Sequence, residues 1–287
     1  MIYLDNGATT FPKPDSVVRA VNKALKYSSA NPGRGGHKIA VKAAETVYNA
    51  RIKLSELMSV SDPSCIVFTS SCTSALNTVI KGTLKSGDHV IISSLEHNAV
   101  LRPVYKLKNN GVGYSVAEVV EGDDDKTLDN FRNEIRDNTK LVVCTAASNV
   151  FGIRPPYERI CALCHQYEIK TCVDAAQGAG LFDFDLSDSS IDYLCIAAHK
   201  GLYAPMGIGV LIINCETIPD SLIEGGTGSN SADFNQPEII PDRFESGTVN
   251  FPGIAGLSAG IDFVKRYTVN GIYNHEFNLY SYLYDRL

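Results

Sequence analysis

Short apolar runs rich in β-branched residues alternate with stretches of helical spacing between residues 64 and 213. This alternation is typical of an α/β domain, in which helices cover both faces of a mostly parallel sheet. We expect strands at residues 65–69, 89–93, 114–120, 141–145, 171–174, 193–197 and 207–213. Ligands of such sheets bind at the carboxyl ends of the strands, so polar residues at those ends are the first candidates for a site.

Lys200 and Asp174 stand at the ends of two such runs. Lys200 follows an apolar run and opens a glycine-containing loop, and Asp174 closes the preceding run. A lysine and a carboxylate in these places suit pyridoxal phosphate, since that cofactor needs an amine to hold its aldehyde and an anion to keep its pyridine nitrogen protonated. Asp174 could instead be a plain strand-end cap, but a protonated ring nitrogen would stabilise its carboxylate at this apolar edge.

A hydroxyl-rich turn follows the first expected strand and leads into a helix. Free N–H groups at a helix start can bind a phosphate, and Thr73 lies in that first turn. Plain capping of the helix by Ser71 or Thr73 is the alternative, and on the turn alone it would be preferred. The presence of Lys200 makes phosphate binding the better interpretation.

These motifs resemble the class V aminotransferase family, and most closely its cysteine desulfurase-like branch, along the chain from Tyr3 to the C-terminus. In that branch a histidine precedes the cofactor lysine, as His199 precedes Lys200. The resemblance implies the three-layer αβα fold of the pyridoxal-phosphate transferases (fold type I), with a mostly parallel sheet of roughly seven strands. It also implies pyridoxal 5'-phosphate as the cofactor.

Further residues take their roles from the resemblance. His97 would lie flat on the pyridine ring and move protons, which makes it, with Lys200, a predicted catalytic residue; a solvated turn histidine is the alternative. Asn149 and Gln177 would reach the phenolic oxygen, and His199 the phosphate, although Asn and Gln are also common turn formers. The predicted cofactor-binding set is Cys72, Thr73, His97, Asn149, Asp174, Gln177, His199, Lys200 and Thr248.

Two segments are expected at the mouth of the site. The segment around Thr248 resembles one that crosses a dimer interface and gives a threonine to the partner's phosphate, which implies a homodimer; an interdomain turn is the alternative. By the same resemblance, four residues near the N-terminus would contact the substrate: Gly7, Ala8, Arg34 and His37.

Three positions depart from the pattern of the relatives. Ala197 stands where they have a serine or threonine, so the phosphate loses a hydroxyl partner. Ser74 stands where they have a glutamate, and Gly7 replaces an alanine. Weaker cofactor binding is the expected consequence of Ala197.

Composition excludes several kinds of partner. A net charge of −6 and a pI near 5.5, with the basic residues scattered, give no footprint for a nucleic acid. No apolar run reaches the roughly 18 residues of a membrane span, and the first residues lack the pattern of a signal peptide, so a cytoplasmic location without a membrane partner is expected. Most of the eight cysteines are interpreted as small buried fillers.

The stretch Cys161-Ala-Leu-Cys164-His165 matches the short pattern for covalent haem attachment. Its helical spacing favours a packed helix instead, and a zinc site would need two further ligands that cannot be placed. We therefore predict no metal site.

We expect three regions along the chain: an N-terminal segment over residues 1–13, a large cofactor-binding domain over 14–262, and over 263–287 a linker helix that starts a small C-terminal domain. Relatives continue from that helix for about a further hundred residues, so the small domain is expected to be truncated. In them it carries the cysteine that accepts sulfur and an arginine for the substrate carboxylate. Neither has a counterpart in these 287 residues.

The resemblance implies a pyridoxal-phosphate-dependent cysteine desulfurase, which removes sulfur from L-cysteine and leaves L-alanine and a protein-bound persulfide. A sulfur-acceptor protein is then a possible partner. Two alternatives stay open. One is another class V reaction, namely transamination, selenocysteine cleavage or racemisation. The other is a catalytically inactive chain that serves as a dimer partner.

Overall fold

The computed structural model describes residues 2–33, 36–228 and 233–287, and within them seven strands form one sheet in the order β1-β7-β6-β5-β4-β2-β3. Strand β7 is antiparallel to both its neighbours, and every other pair of adjacent strands is parallel. The predicted mostly parallel, seven-stranded sheet is therefore confirmed. The strands are β1 Ile66–Thr69, β2 His89–Ser93, β3 Gly113–Ala117, β4 Thr139–Thr145, β5 Lys170–Asp174, β6 Tyr193–Ala197 and β7 Gly209–Ile213.

Helices cover both faces of the sheet, as three layers require. Successive strand residues point to opposite faces, so Val142 joins one hydrophobic cluster and Val143 the other. Helices α3 and α4 pack on the face of Val143, and α2, α6 and α7 on the face of Val142. The helices are α1 Asp15–Tyr27, α2 Lys38–Met58, α3 Cys72–Thr83, α4 Asn98–Lys108, α5 Asp124–Glu134, α6 Tyr157–His165, α7 Phe251–Tyr267 and α8 Val269–Tyr284.

The pairing register brings the functional ends of the strands to one edge. Asp174 at the end of β5 is level with Thr145 at the end of β4 and with Cys195 in β6. Ala197 at the end of β6 pairs with Gly209 at the start of the reversed strand β7. The short connection between those two strands carries Lys200, so this residue lies at the same edge as Asp174.

Helix α3 approaches this edge closely because Gly209 has no side chain. A Cβ atom at Gly209 would lie 2.3 Å from the carbonyl carbon of Ser71 and 2.6 Å from the nitrogen of Cys72. Any larger residue would push the first turn of the helix away from β7. The glycine therefore sets the position of the helix start.

Strand β1 lies at one edge of the sheet, where backbone groups have no strand partner. Glu245 Oε1 accepts the N–H of Phe68 at 2.7 Å, and Arg51 donates to the carbonyl of Ile66. Arg51 and Glu245 also form a buried ion pair at 2.6 Å. These two side chains thus form hydrogen bonds with two backbone groups at the free edge of β1, the Phe68 N–H and the Ile66 carbonyl.

Some element bounds differ from those expected. Residues 63–65 form a turn of 3-10 helix, so β1 begins at Ile66, and β7 begins at Gly209 because Gly207 has a positive φ of 82°. The expected domain boundary after residue 262 lies inside α7. None of the helices in the described parts of the chain is long and apolar enough to cross a membrane.

Candidate active site

One cavity at the carboxyl edge of the sheet is lined by most of the predicted cofactor residues. Strands β4, β5 and β6, the first turns of α3 and α4, and the loops that follow the strands all contribute to it. Thr248 is the predicted cofactor residue that does not line it. The predicted residues along the cavity are Cys72, Thr73, His97, Asn149, Asp174, Gln177, His199 and Lys200.

Asp174 lies at the buried floor of this cavity, with 3% of its surface exposed. Burial raises the pKa of its carboxyl, against the opposing effects of the Ala176 N–H, the Cys72 thiol, His97 and Lys200. Oδ1 accepts the Ala176 N–H at 2.9 Å, and the Asp174 side chain forms no ion pair with a described residue. A buried carboxyl group without a cation suits a positively charged ligand group beside it.

The Cys72 thiol donates a hydrogen bond to Asp174 Oδ1 over 3.5 Å. Burial and the adjacent carboxylate raise the pKa of this thiol well above its usual value. Cys72 is therefore a thiol at neutral pH and not the thiolate that a sulfur nucleophile requires.

The start of helix α3 is capped by Ser71, whose hydroxyl accepts the N–H of Ser74 at 3.1 Å. The structure records no acceptor for the N–H groups of Cys72 and Thr73 among the described residues. Capping by Ser71, which is one of the expected alternatives, is present, and it still leaves these two N–H groups free. They lie where an anion can be bound by the helix start.

His97 is the N-cap of helix α4, and its Nδ1 accepts the Ala99 N–H at 3.1 Å. A neutral imidazole that accepts at Nδ1 carries its proton on Nε2. Because His97 lines the cavity, the nitrogen left free for a ligand is a hydrogen-bond donor.

Glu96, which precedes His97, is a buried acidic residue near the site whose role the sequence did not reveal. Its Oε1 accepts from Ser93 Oγ and from the Thr145 N–H at 2.7 Å, so it joins the ends of β2 and β4. Oε2 is buried without a partner among the described residues, and burial raises the pKa of Glu96 to about 8. The signal available in the sequence was an acidic residue close behind an apolar strand.

The N-terminal segment contacts two residues that line the cavity, Gln177 and His199. Gln177 Nε2 donates to the Gly7 carbonyl at 3.1 Å, so the amide nitrogen is engaged and its oxygen is left for a ligand. Thr10 donates to the carbonyls of His199 and Lys200 at 3.0 and 3.3 Å. Gly7 and Ala8 are exposed beside these contacts.

The remaining predicted residues lie elsewhere. Thr248 is exposed, accepts a hydrogen bond from Asn31 at 3.4 Å, and lines a neighbouring cavity on the other side of Ser74. His37 does not line the cavity of Lys200; its Nδ1 caps helix α2 by accepting the Ala40 N–H at 3.4 Å. Arg34 falls outside the described residues.

Ala197 and the cysteines are placed as the sequence suggested. Ala197 lines the cavity and brings no hydroxyl to it. All eight cysteines are free and six are buried. Cys161 and Cys164 are both buried on helix α6, in agreement with a packed helix.

Comparison with known proteins shows the family to which this chain belongs. The family model "Aminotransferase class-V" matches residues 2–287. A protein of Methanothermobacter thermautotrophicus named "Probable cysteine desulfurase" is 32% identical over 281 residues, which cover 96% of this chain and 69% of that protein.

Solved structures give the same result. The apo cysteine desulfurase from Thermococcus onnurineus superposes with a TM-score of 0.88 at 31% identity, over 99% of this chain and 72% of that one. The protein SspA, solved in complex with cysteine, has a TM-score of 0.78 at 27% identity, over 91% of this chain and 72% of that one. The chain therefore belongs to the class V aminotransferase family, on its cysteine desulfurase branch.

Proposed function

We propose that this chain binds pyridoxal phosphate and removes sulfur from L-cysteine, with L-alanine as the other product. The observation that carries the proposal is the convergence of an amine, a buried carboxyl group and an imidazole, from Lys200, Asp174 and His97, on one cavity. The relatives of this chain named cysteine desulfurase support the choice of substrate.

The donor groups of the cavity fit the cofactor. Lys200 would hold the aldehyde and Asp174 the pyridine nitrogen, with His97 against the ring. The free N–H groups of Cys72 and Thr73 would hold the phosphate. Asn149, Gln177 and His199 line the same cavity and offer further polar contacts. When bound, the cofactor supplies an electron sink that makes the substrate's Cα proton acidic.

The hydrogen bond at His97 Nδ1 indicates which of Lys200 and His97 takes the Cα proton of the substrate. Since its Nδ1 accepts the Ala99 N–H, the nitrogen left for a ligand, Nε2, already bears a proton and cannot accept another. The amine of Lys200 is then the group that takes the Cα proton, and His97 orients the ligand by donating from Nε2.

The sulfur acceptor comes from outside these 287 residues. Cys72 is the cysteine that lines the cavity, and it is held as a thiol by burial and by Asp174. A thiolate other than Cys72 would receive the sulfur atom, and a sulfur-acceptor protein is one source of it.

We also propose a homodimer in which Thr248 reaches the phosphate site of the partner. The exposed position of Thr248, away from the cavity of its own chain, supports this arrangement. Its neighbouring cavity lies along the same helix start, at Ser74 and Asn77.

A second candidate is a class V reaction that needs no sulfur acceptor, such as transamination. The protonated state of Cys72 favours it, because no other cysteine lines the cavity among the described residues. The two reactions differ in their products, sulfide for one and a keto acid for the other.

The test is spectroscopic first and chemical second. Purified protein mixed with pyridoxal phosphate should show a visible absorption band that borohydride removes and that Lys200→Ala lacks, whereas the surface control Lys126→Ala keeps it. Absence of the band in the unmodified protein would overturn the proposal. Sulfide release from L-cysteine with a reducing thiol, compared with keto-acid formation, then separates the two reactions.

A further inference from the structure

Three residues of the N-terminal segment place a polar side-chain atom within hydrogen-bond distance of the carbonyl oxygen of His199. Lys13 Nζ lies 2.6 Å from it, Thr10 Oγ1 3.0 Å and Thr9 Oγ1 3.3 Å. Residues 9–13 form no helix or strand, so these contacts hold the segment in place. They act on the residue directly before Lys200.

Lys13 is a half-buried cation without a carboxylate at ion-pair distance among the described residues. Its ammonium group lies between the Thr10 hydroxyl at 2.5 Å and the His199 carbonyl. Burial lowers the pKa of Lys13 to about 8, which leaves it mostly charged at neutral pH. A desolvated cation with no counter-ion, close to a cavity, favours a negative ligand in that cavity.

Thr9 also contacts the imidazole of His199, with Oγ1 3.0 Å from Nδ1. Burial and the charges of Lys200 and Lys13 lower the pKa of His199, so the ring is neutral at pH 7 and carries one N–H. Thr9 has one hydroxyl proton to donate. Because the His199 carbonyl already accepts from Lys13 and Thr10, and Thr9 Oγ1 is nearer to Nδ1 than to that carbonyl, we assign the Thr9 proton to Nδ1, which leaves the ring proton on Nε2. His199 lines the cavity, and its Nε2 has no partner among the described residues.

We propose that Thr9 and Lys13 are positioning residues of the phosphate site. Thr9 holds His199 in the tautomer that offers its Nε2 proton to the cavity, and Lys13 holds the His199 carbonyl and adds positive charge behind it. This inference rests on the proposed function, because the anion that Nε2 meets is the phosphate of the cofactor. It extends the site to a segment 190 residues away from His199 in the chain.

Binding of two ligands that differ only in the phosphate tests this role. Dissociation constants for pyridoxal phosphate and for pyridoxal would be measured in unmodified protein, Thr9→Val, Thr9→Ser and Lys13→Met. Loss of one charge-assisted contact should raise the constant for pyridoxal phosphate about tenfold and that for pyridoxal less than about twofold. Thr9→Ser keeps the hydroxyl and should bind like the unmodified protein.

The control is Thr46→Val, since the Thr46 hydroxyl bonds only to the Lys42 carbonyl on the exposed side of α2. It should change neither constant. An equal loss for both ligands in Thr9→Val would show general structural support and would overturn the proposal, as would unchanged constants.

The tautomer can be read without any cofactor. In protein labelled with ¹⁵N-histidine, the signals of His199, identified with His199→Gln among the six histidines, should show the proton on Nε2 and should change in Thr9→Val. A proton on Nδ1 in the unmodified protein would overturn the proposal. If neither ligand binds, the proposed cofactor is wrong, and this measurement still decides the role of Thr9.

Discussion

Glu96 shows how burial, rather than residue type, decides whether a side chain near this site is ionised. Its carboxyl group is buried between the ends of β2 and β4, close enough for the charge of Asp174 to raise its pKa, so ionising both would place two negative charges in an apolar environment. Protonation of Glu96 leaves Asp174 as the anion. The sequence could not reveal this, since an acid beside His97 has the pattern of an ordinary polar turn.

Replacing Glu96 with Gln should therefore preserve the fold and alter its pH dependence. The pKa of Glu96 is raised to about 8 in the folded chain from 4.5. Between these two pKa values the unfolded chain has lost the proton and the folded chain still holds it. The contribution of Glu96 to the free energy of unfolding therefore falls by roughly 1.4 kcal/mol per pH unit as the pH rises from 4.5 to about 8. A glutamine at this position can accept the same hydrogen bonds but does not titrate, so this part of the pH dependence of the free energy of unfolding is removed.

Urea unfolding of both proteins between pH 5 and 8 measures this difference. The free energy of unfolding of Glu96→Gln minus that of the unmodified protein should grow with pH, and the exposed substitution Glu118→Gln should give a flat difference. A flat difference for Glu96→Gln as well would mean that Glu96 is ionised in the fold.

The cysteines give a second prediction at the residue scale. Cys65 and Cys215 are partly exposed and the other six are buried, and burial raises the pKa of Cys72. We expect no more than two thiols to react rapidly with Ellman's reagent in the native protein and all eight to react in denaturant. Rapid reaction of a third thiol, removed by Cys72→Ala, would contradict the protonated, enclosed state of Cys72.

At the scale of elements, the strands were the most predictable part of the molecule. Runs of Val and Ile bounded by turns located all seven, and β2 and β6 were placed at their observed bounds. The starts of β1 and β7 were not, because a 3-10 turn and the positive φ of Gly207 depend on local backbone geometry. Strand β3, expected to reach residue 120, ends at Ala117, because its partner β2 ends at the paired Ser93. The contacts of Thr9 and Lys13 with His199 span too much sequence for any periodicity to reveal them.

The edge of β1 should depend strongly on its buried ion pair. Glu245→Ala would leave Arg51 buried without its anion and the Phe68 N–H without an acceptor, which we expect to cost about 3–5 kcal/mol in the free energy of unfolding. The exposed pair of Arg132 and Asp129 is the control, since Asp129→Ala should cost less than about 1 kcal/mol. Denaturant unfolding measures both, and equal small losses would show that the edge does not need the pair.

For the whole molecule, the proposed homodimer predicts that each active site needs residues from two chains. If Thr248 serves the partner's site, Lys200→Ala and Thr248→Val each disable different parts of the same dimer. In a mixed dimer, the chain with Lys200 intact would receive an intact Thr248 from its partner.

Mixing the two variants should therefore restore up to about a quarter of the normal number of strong cofactor sites, given random exchange of subunits. Absorption titration of the mixture, with each variant alone as the control, measures this recovery. No recovery, despite subunit exchange shown by differently labelled chains, would mean that Thr248 serves its own chain or none.

The hydrogen bonds between the N-terminal segment and His199 have a practical consequence. Because these bonds hold the carbonyl next to Lys200, we expect any change that stiffens or removes residues 9–13 to affect the proposed cofactor lysine. Proteolytic removal of the same residues should weaken the proposed cofactor binding although it changes no residue that lines the cavity.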